Sequence, residues 1–229
     1  MKKWTEHLMN LLYPRLCVAC GDVLEMNERH VCTRCLYHLP KTDFHLQRGN
    51  EVEQMLSAWF SVERASAFFF FQKGSPFQKL LHELKYKGQK DIGIVFGSYI
   101  GSDFVLSGTF ADVDMIVPVP LHPKKLKKRG YNQSECIAKG IAEKLSKPME
   151  TKHLVRTVAN PSQTTTFNAE ERRRNVENIF AVVEASVFEG KHVLLVDDVL
   201  TTGATVASCA AEILKSAGAR VSVVVLARA

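Results

Sequence analysis

A chain of 229 residues is long enough for one full α/β domain with a small appendage, but not for two large domains. Its apolar share of 46% and charged share of 24% are those of an ordinary globular protein, with no internal repeat, no low-complexity tract and no apolar run of membrane-spanning length. A net charge of +6 and an isoelectric point near 9.0 favour anionic partners: phosphorylated metabolites, nucleic acid or acidic surfaces.

The chain reads as two regions, residues 1–50 and residues 51–229. The first opens on a short apolar helix carrying Trp4, Leu8, Leu11 and Leu12. Glu6 and His7 interrupt any signal-peptide core, so the expected location is the cytoplasm. In such a compartment six cysteines do not form a disulfide framework. Cys17-Val18-Ala19-Cys20 and Cys32-Thr33-Arg34-Cys35 are instead two C-x-x-C pairs, each presenting two sulfurs from one tight turn. Together Cys17, Cys20, Cys32 and Cys35 complete a tetrahedral site suited to structural Zn²⁺. The competing readings are a redox-active C-x-x-C or incidental thiols. His30 could replace one ligand but is not needed, and Cys209 and Cys136 read as core residues.

A polar connector, Lys41–Glu51, leads into the second region, where strands and helices alternate. Ala65–Phe71 is a strand, and Ser75-Pro76 opens a helix with Phe77, Leu80, Leu81 and Leu84 at helical spacing. Met115–Val119 is a short buried strand. Asn132–Leu145 is a helix with Ile137, Ile141 and Leu145 on one face. Arg156–Ala169 is a long polar loop. His192–Val196 is a strand, Ala204–Ala217 a helix closed by Gly218, and Val221–Leu226 a last strand. The short links imply a parallel sheet with right-handed crossovers.

The richest stretch runs from Val193 to Thr205. An apolar strand meets Asp197 and Asp198, and Thr201-Thr202-Gly203-Ala204-Thr205 then starts a helix. Backbone N–H groups at a helix start lie at the positive end of its dipole and can cradle a phosphate. Gly203 lets the backbone approach closely, and the threonine hydroxyls add donors. Two aspartates at the carboxyl end of a strand can accept hydrogen bonds from vicinal hydroxyls, at the place where ligands bind in open α/β sheets. A phosphate beside a diol describes a ribose 5-phosphate. The plainer alternative is a turn followed by a capped helix. This segment resembles the phosphoribosyl pyrophosphate (PRPP) motif of type I phosphoribosyltransferases. The resemblance implies that Asp197 and Asp198 contact the ribose hydroxyls as the catalytic acids, while Thr201 to Thr205 hold the 5-phosphate.

Between Pro123 and Gln133 lies a basic turn, with Lys124, Lys125, Lys127, Lys128 and Arg129 ahead of Gly130-Tyr131-Asn132-Gln133. Such a run reads either as a solvated face or, beside the phosphate-loop strand, as a contact for pyrophosphate or nucleic acid. Proline-flanked apolar residues leading into a basic turn and Gly-aromatic-Asn-Gln resemble the ComF family of bacterial competence proteins. So does the arrangement of a cysteine head before a phosphoribosyltransferase-like sheet. ComF resemblance also places a Gln-containing lid loop and an Arg-x-x-Asn element in the polar segment, which Gln163, Arg172 and Asn175 would fill.

That resemblance implies a type I phosphoribosyltransferase-like α/β fold, structural Zn²⁺, and Mg²⁺ arriving with PRPP or another phosphorylated ribose. It implies a role in natural transformation, with the basic turn and Tyr131 contacting single-stranded DNA, and other competence proteins, such as a DNA-uptake helicase, as partners. Two rivals remain open: an active phosphoribosyltransferase with an unidentified nitrogen acceptor, and a PRPP-binding regulator without turnover.

Overall fold

The structure is a computed structural model that describes residues 13–86, 89–157 and 179–229, the Tyr86 side chain excepted. The expected N-terminal helix with Trp4, Leu8, Leu11 and Leu12, and the expected lid residues Gln163, Arg172 and Asn175, lie outside the described residues. Among the described residues no helix is long and apolar enough to cross a membrane.

The centre is a four-stranded sheet formed by β1 (Ala65–Phe70), β2 (Met115–Pro118), β5 (His192–Leu200) and β6 (Arg220–Arg228) in the order β1-β6-β5-β2. All three pairings are parallel, as the strand–helix alternation predicts. The strands are apolar on both faces because both faces are covered. Leu194 and Val196 of β5, with Val224 and Leu226 of β6, face one layer. Val193 and Leu195, with Val221, Val223 and Val225, face the other. A separate antiparallel pair joins β3 (Leu154–Arg156) to β4 (Phe180–Val182).

The first layer holds α3 (Pro76–Tyr86), α4 (Lys90–Ser107) and α6 (Gln133–Leu145). The second holds α2 (Glu51–Ser57) and α7 (Ala204–Ile213). The helix that follows β2 in this layering, α6, therefore covers one face, and the helix that follows β5, α7, covers the other. The crevice between the carboxyl ends of those neighbouring strands is the switch point where open α/β sheets bind ligands.

Sequence periodicity misses α4 altogether. Gly93, Gly97 and Gly101 weaken its helix propensity, yet with Ile92, Phe96, Ile100 and Phe104 they form its buried stripe. Their purpose is close approach to α6. A Cβ built on Gly97 would stand 2.1 Å from the Ile137 carbonyl oxygen, and one on Gly140 would stand 2.2 Å from that of Ile94. The two backbones touch, and neither position has room for a methyl group.

Two segments differ from expectation. The polar connector is pinned to the sheet: Phe44 and Asn50 are buried, the Thr42 hydroxyl donates to the Ala67 carbonyl, and Asn50 Nδ2 donates to the Ala65 carbonyl at 2.8 Å. Asn50 Oδ1 meanwhile accepts from Val52 and Glu53, capping α2. The basic turn is in fact a short helix, α5 (Pro123–Arg129), with proline at its first position, the His122 ring accepting from the Lys124 amide, and Gly130 in the left-handed conformation at its end. Lys127, Lys128 and Arg129 in its last turn complement the helix dipole. The run of charge hides the helix from a reading based on apolar spacing.

Gly97→Ala should lower the melting temperature by roughly 3–10 °C, since overpacking against backbone costs about 1–3 kcal/mol and a chain of this size loses about 2–4 °C per kcal/mol. Scanning calorimetry on both proteins measures it. An unchanged melting temperature would show that the helices do not cross at this distance.

Candidate functional site

The site grows from the register of β2 against β5. Pro118 lies beside Val196, and the Val119 amide donates to the Val196 carbonyl at 2.8 Å. The chain leaving β2 therefore runs past Asp197 and Asp198. Asn132 fixes that segment to α6: its Nδ2 donates to the Val119 carbonyl at 2.9 Å, while its Oδ1 accepts from the Ser134 amide. In the first turn of α6, Ser134 Oγ donates to Asp197 Oδ1 at 2.8 Å. The same oxygen accepts from the Asp198 amide at 2.9 Å.

Asp198 Oδ2 meets Lys85 Nζ at 3.3 Å, with the two side chains only 17% and 28% exposed. Lys85 comes from the last turn of α3, whose face of Leu80, Leu81 and Leu84 is buried in the first layer. The Tyr131 hydroxyl donates to the Leu84 carbonyl and anchors that turn.

These groups surround a cavity of about 140 Å³. Its walls carry the carboxylates Asp197 and Asp198, the cations Lys85, Lys125, Arg129 and Arg156, and the polar residues Asn132, Gln133, Ser134 and Thr205. Arg129 Nη1 donates to Gln133 Oε1 at 2.8 Å, and the Arg156 guanidinium stands over the Phe180 ring at 5.3 Å. A larger hollow of about 490 Å³, lined by residues such as Arg15, His30, Asp91 and Ile94, sits where the head meets α4. None of the acid pair, loop or basic-helix residues reaches it.

Burial pushes the Asp197 carboxyl up to about 7, and the Asp198 charge adds to this. The Ser134 hydroxyl, the Asp198 amide and the Lys85 ammonium act against it. Asp197 is thus near its titration point at neutral pH, within a ring of cations.

The sequence-predicted residues divide as follows. Asp197, Asp198, Thr205, Lys125 and Arg129 come together around the cavity. Thr201, Thr202, Gly203 and Ala204 form the link from β5 into α7, with Gly203 left-handed at φ 79° as the helix cap. The left-handed backbone favours glycine there, and a Cβ would come to 3.0 Å from the end of the Leu56 side chain on α2. Lys124, Lys127 and Lys128 are exposed on α5. Tyr131 requires correction: it is 6% exposed and packed under α3, so its ring offers no stacking surface to a nucleic acid. A Gly-aromatic dipeptide after a basic run carries no sign of which way the ring turns. Lys85, Ser134 and Arg156 were not singled out by the sequence as site residues, and Gln133 entered only as the last residue of the Gly-aromatic-Asn-Gln pattern. Only the neighbouring Asn132, a helix cap, hinted that α6 starts at the site.

The cysteine head is built from two turns and α1 (Thr33–Tyr37). The sulfurs of Cys17, Cys20, Cys32 and Cys35 all lie within 4.8 Å of one another, with Cys20 and Cys32 at 3.8 Å. That separation suits ligands of one tetrahedral ion. Amides point at the sulfurs: Cys32 to Cys17 at 3.3 Å and Cys35 to Cys32 at 3.4 Å. Burial pushes the Cys17 thiol up, but amide donors from Cys20, Cys32 and Ala19 outweigh it and bring it to about 7. Burial and then the neighbouring sulfurs drive Cys35 well above the usual thiol range. Four crowded thiols cannot all ionise without a cation between them, and the cluster could hold a metal such as zinc. Cys209 is fully buried in the second layer and Cys136 nearly so, as core residues.

A parallel sheet with this acid pair at the head of a Thr/Gly loop defines a phosphoribosyltransferase-type fold, and residues 132–229 match the phosphoribosyl transferase domain. The DNA utilization protein YhgH of Salmonella typhi is 31% identical over 156 residues, covering 67% of each chain. YhgH of Escherichia coli O157:H7 is 28% identical over 93% of this chain and 90% of its own. Competence protein ComFC of Bacillus subtilis is 27% identical over 88% of this chain and 79% of its own. The chain belongs to the ComF family of competence and DNA utilization proteins.

A carboxyl whose native pKa is raised from 3.8 to about 7 favours the folded state below pH 4, and that contribution is lost as pH rises to 7. Asp197→Asn cannot ionise and should therefore melt several degrees higher than the wild type at pH 8, the gap closing toward pH 4. Melting curves across that range measure it. A variant less stable at pH 8 would mean that the partners of ionised Asp197 outweigh its burial.

Proposed function

We propose that this protein handles single-stranded DNA in natural transformation or DNA utilization, in the cytoplasm, with a retained pocket for PRPP or a related phosphorylated ribose. One observation carries the reading. Lys125 and Arg129, one turn apart on α5, line the acid-pair cavity, while Lys124, Lys127 and Lys128 on the same helix are exposed. A nucleic-acid backbone lying along the exposed lysines would thus pass the mouth of a ribose-phosphate pocket. The names of its relatives support the DNA role, and a competence partner such as a DNA-uptake helicase fits the same setting.

In the pocket, Asp197 and Asp198 would accept the ribose hydroxyls and Thr201–Thr205 would donate to the 5-phosphate. Lys125, Arg129 and Arg156 would meet the pyrophosphate. Should transfer occur, the chain's contribution is position and charge around C1 of the ribose, not a protein nucleophile. Transfer to a nitrogen acceptor is the second reading, favoured by the acid pair itself. Against it, no aromatic side chain among the described residues lines the cavity to stack on a base.

Single-stranded oligonucleotides should bind without sequence preference and with a steep salt dependence. Replacing Lys124, Lys127 and Lys128 by alanine should flatten the log–log salt slope by about two units, at about 0.7 per phosphate contact. Fluorescence anisotropy over a salt series measures both slopes. Equal slopes would make α5 a solvated face only, and competition by PRPP would show that the DNA reaches the pocket.

The head should carry about one Zn²⁺ per chain, held by Cys17, Cys20, Cys32 and Cys35 as a structural ion. Elemental analysis of purified protein checks the content. Chelation or Cys17→Ser should lower the melting temperature, because the head shares a core with the sheet. Metal-free protein whose stability is indifferent to Cys17→Ser would overturn the assignment.

A further inference from the structure

Ser134 directs its hydroxyl away from its own helix. A serine near a helix start commonly bonds to neighbouring backbone. Ser134 is instead 4% exposed, and its Oγ reaches across the crevice to Asp197 Oδ1 at 2.8 Å. The same oxygen accepts from the Asp198 amide at 2.9 Å. Two donors on one oxygen fix a carboxylate whose terminal torsion is otherwise broad. Asp197 lines the acid-pair cavity, so the oxygen that remains for a ligand hydroxyl is Oδ2.

The hydroxyl is itself held from two directions. Asn132 Oδ1 accepts from the Ser134 amide at 3.2 Å, while Asn132 Nδ2 donates to the Val119 carbonyl at 2.9 Å. The start of α6 is thereby tied to the segment leaving β2. Further along α6, a Cβ on Gly140 would stand 2.2 Å from the Ile94 carbonyl oxygen of α4. The helix cannot slide or turn without breaking one of these contacts.

A donor aimed at one carboxylate oxygen orients the group and favours its ionised form, in which both oxygens accept. Burial pushes the Asp197 carboxyl up and the Asp198 charge adds to this, and the Ser134 hydroxyl is the largest influence acting against them. Among the described residues, the other charged or titratable groups around Asp197 are Lys85 from α3, Lys125 and Arg129 from α5, Arg156 from β3 and the Cys209 thiol from α7. All of them stay in place when Ser134 loses its hydroxyl, so the effect of that one donor can be measured alone.

We propose that Ser134 is a positioning residue for the acid pair, whose hydroxyl holds the Asp197 carboxylate with Oδ2 turned to the ribose diol of a phosphoribosyl ligand. This role, which rests on the phosphoribosyl reading of the pocket, is exerted through Asp197 and not on the ligand itself.

Isothermal titration of PRPP into the full-length wild type and Ser134→Ala, from pH 6 to pH 9 with Mg²⁺ in constant excess, tests it. The ratio of the two Kd values at each pH cancels the ionisation of the ligand. Ser134→Ala should weaken binding by about tenfold between pH 6 and pH 7, the loss of one charge-assisted hydrogen bond. The ratio should narrow as pH rises, because Asp197 of the variant ionises later than that of the wild type. Inorganic pyrophosphate, which carries no diol, should bind the variant no more weakly than the wild type. Matching melting temperatures at pH 5 establish that the variant is folded. Ser134→Cys, which keeps the side-chain shape but donates only weakly, should reproduce the result if Ser134→Ala does not fold. Equal PRPP affinities across the range would overturn the inference and leave the pocket standing. So would a loss that is constant with pH, or one shared by pyrophosphate, since either marks a packing defect. No PRPP binding by the wild type at any pH would overturn the pocket's assignment itself, and the role of Ser134 with it.

Discussion

The approach of α4 to α6 is the constraint from which the rest of the site follows. Where Gly97 meets Gly140 the helices are separated by backbone alone, and no side chain can slide between them to alter the crossing. That contact sets the position of α6 along the sheet, and so places its first turn. The first turn holds the site: Asn132 clasps the segment leaving β2, and Ser134 reaches the carboxyl of Asp197. Propensity is given up in the α4 glycines, and positional accuracy at the acid pair is gained. The same trade explains why intrinsic preferences alone misread α4.

Burial and charge act in opposite directions at the acid pair. Two adjacent carboxyls at the end of a buried strand are unfavourable, which is why Asp197 resists ionisation. Ser134 and Lys85 offset part of that cost, and a ligand offering two hydroxyl donors would offset more. The cations contribute in a second way. They lie both inside the cavity and along α5 outside it, so an anion approaching along α5 would meet cations from the surface to the pocket.

Local features were legible in the sequence and long-range ones were not. The strand His192–Val196, the Thr/Gly loop and the start of α7 could be read because strand, turn and helix cap are encoded within a dozen adjacent residues. Even there the strand runs on to Leu200, since its pairing with Arg228 of β6 carries it past the acids. The cysteine pairs were readable for the same reason of spacing. Lys85 was not: one lysine at the end of an amphipathic helix looks like any solvated charge, and only the fold brings it to Asp198. Tyr131 misled in the opposite sense. Its neighbours are basic and exposed, but its hydroxyl is needed to hold α3, so the ring is buried.

The head and the acid pair, far apart in sequence, are joined by one apolar layer. Cys17 and Cys32 are buried in the same cluster as Leu24, Val31 and Leu39, and that cluster continues through Phe68 and Phe96 to Ile137 on α6. A metal in the head would therefore do more than close a small loop-rich segment. By ordering Cys17 and Cys32 it would complete one end of the layer that presses α4 against α6, and the other end of that layer carries Ser134. Close-packed interiors transmit strain because they cannot absorb a change of volume locally. The physical reason for a cysteine head on this fold thus lies in the packing of α4, the helix that the crossing at Gly97 requires to be rigid.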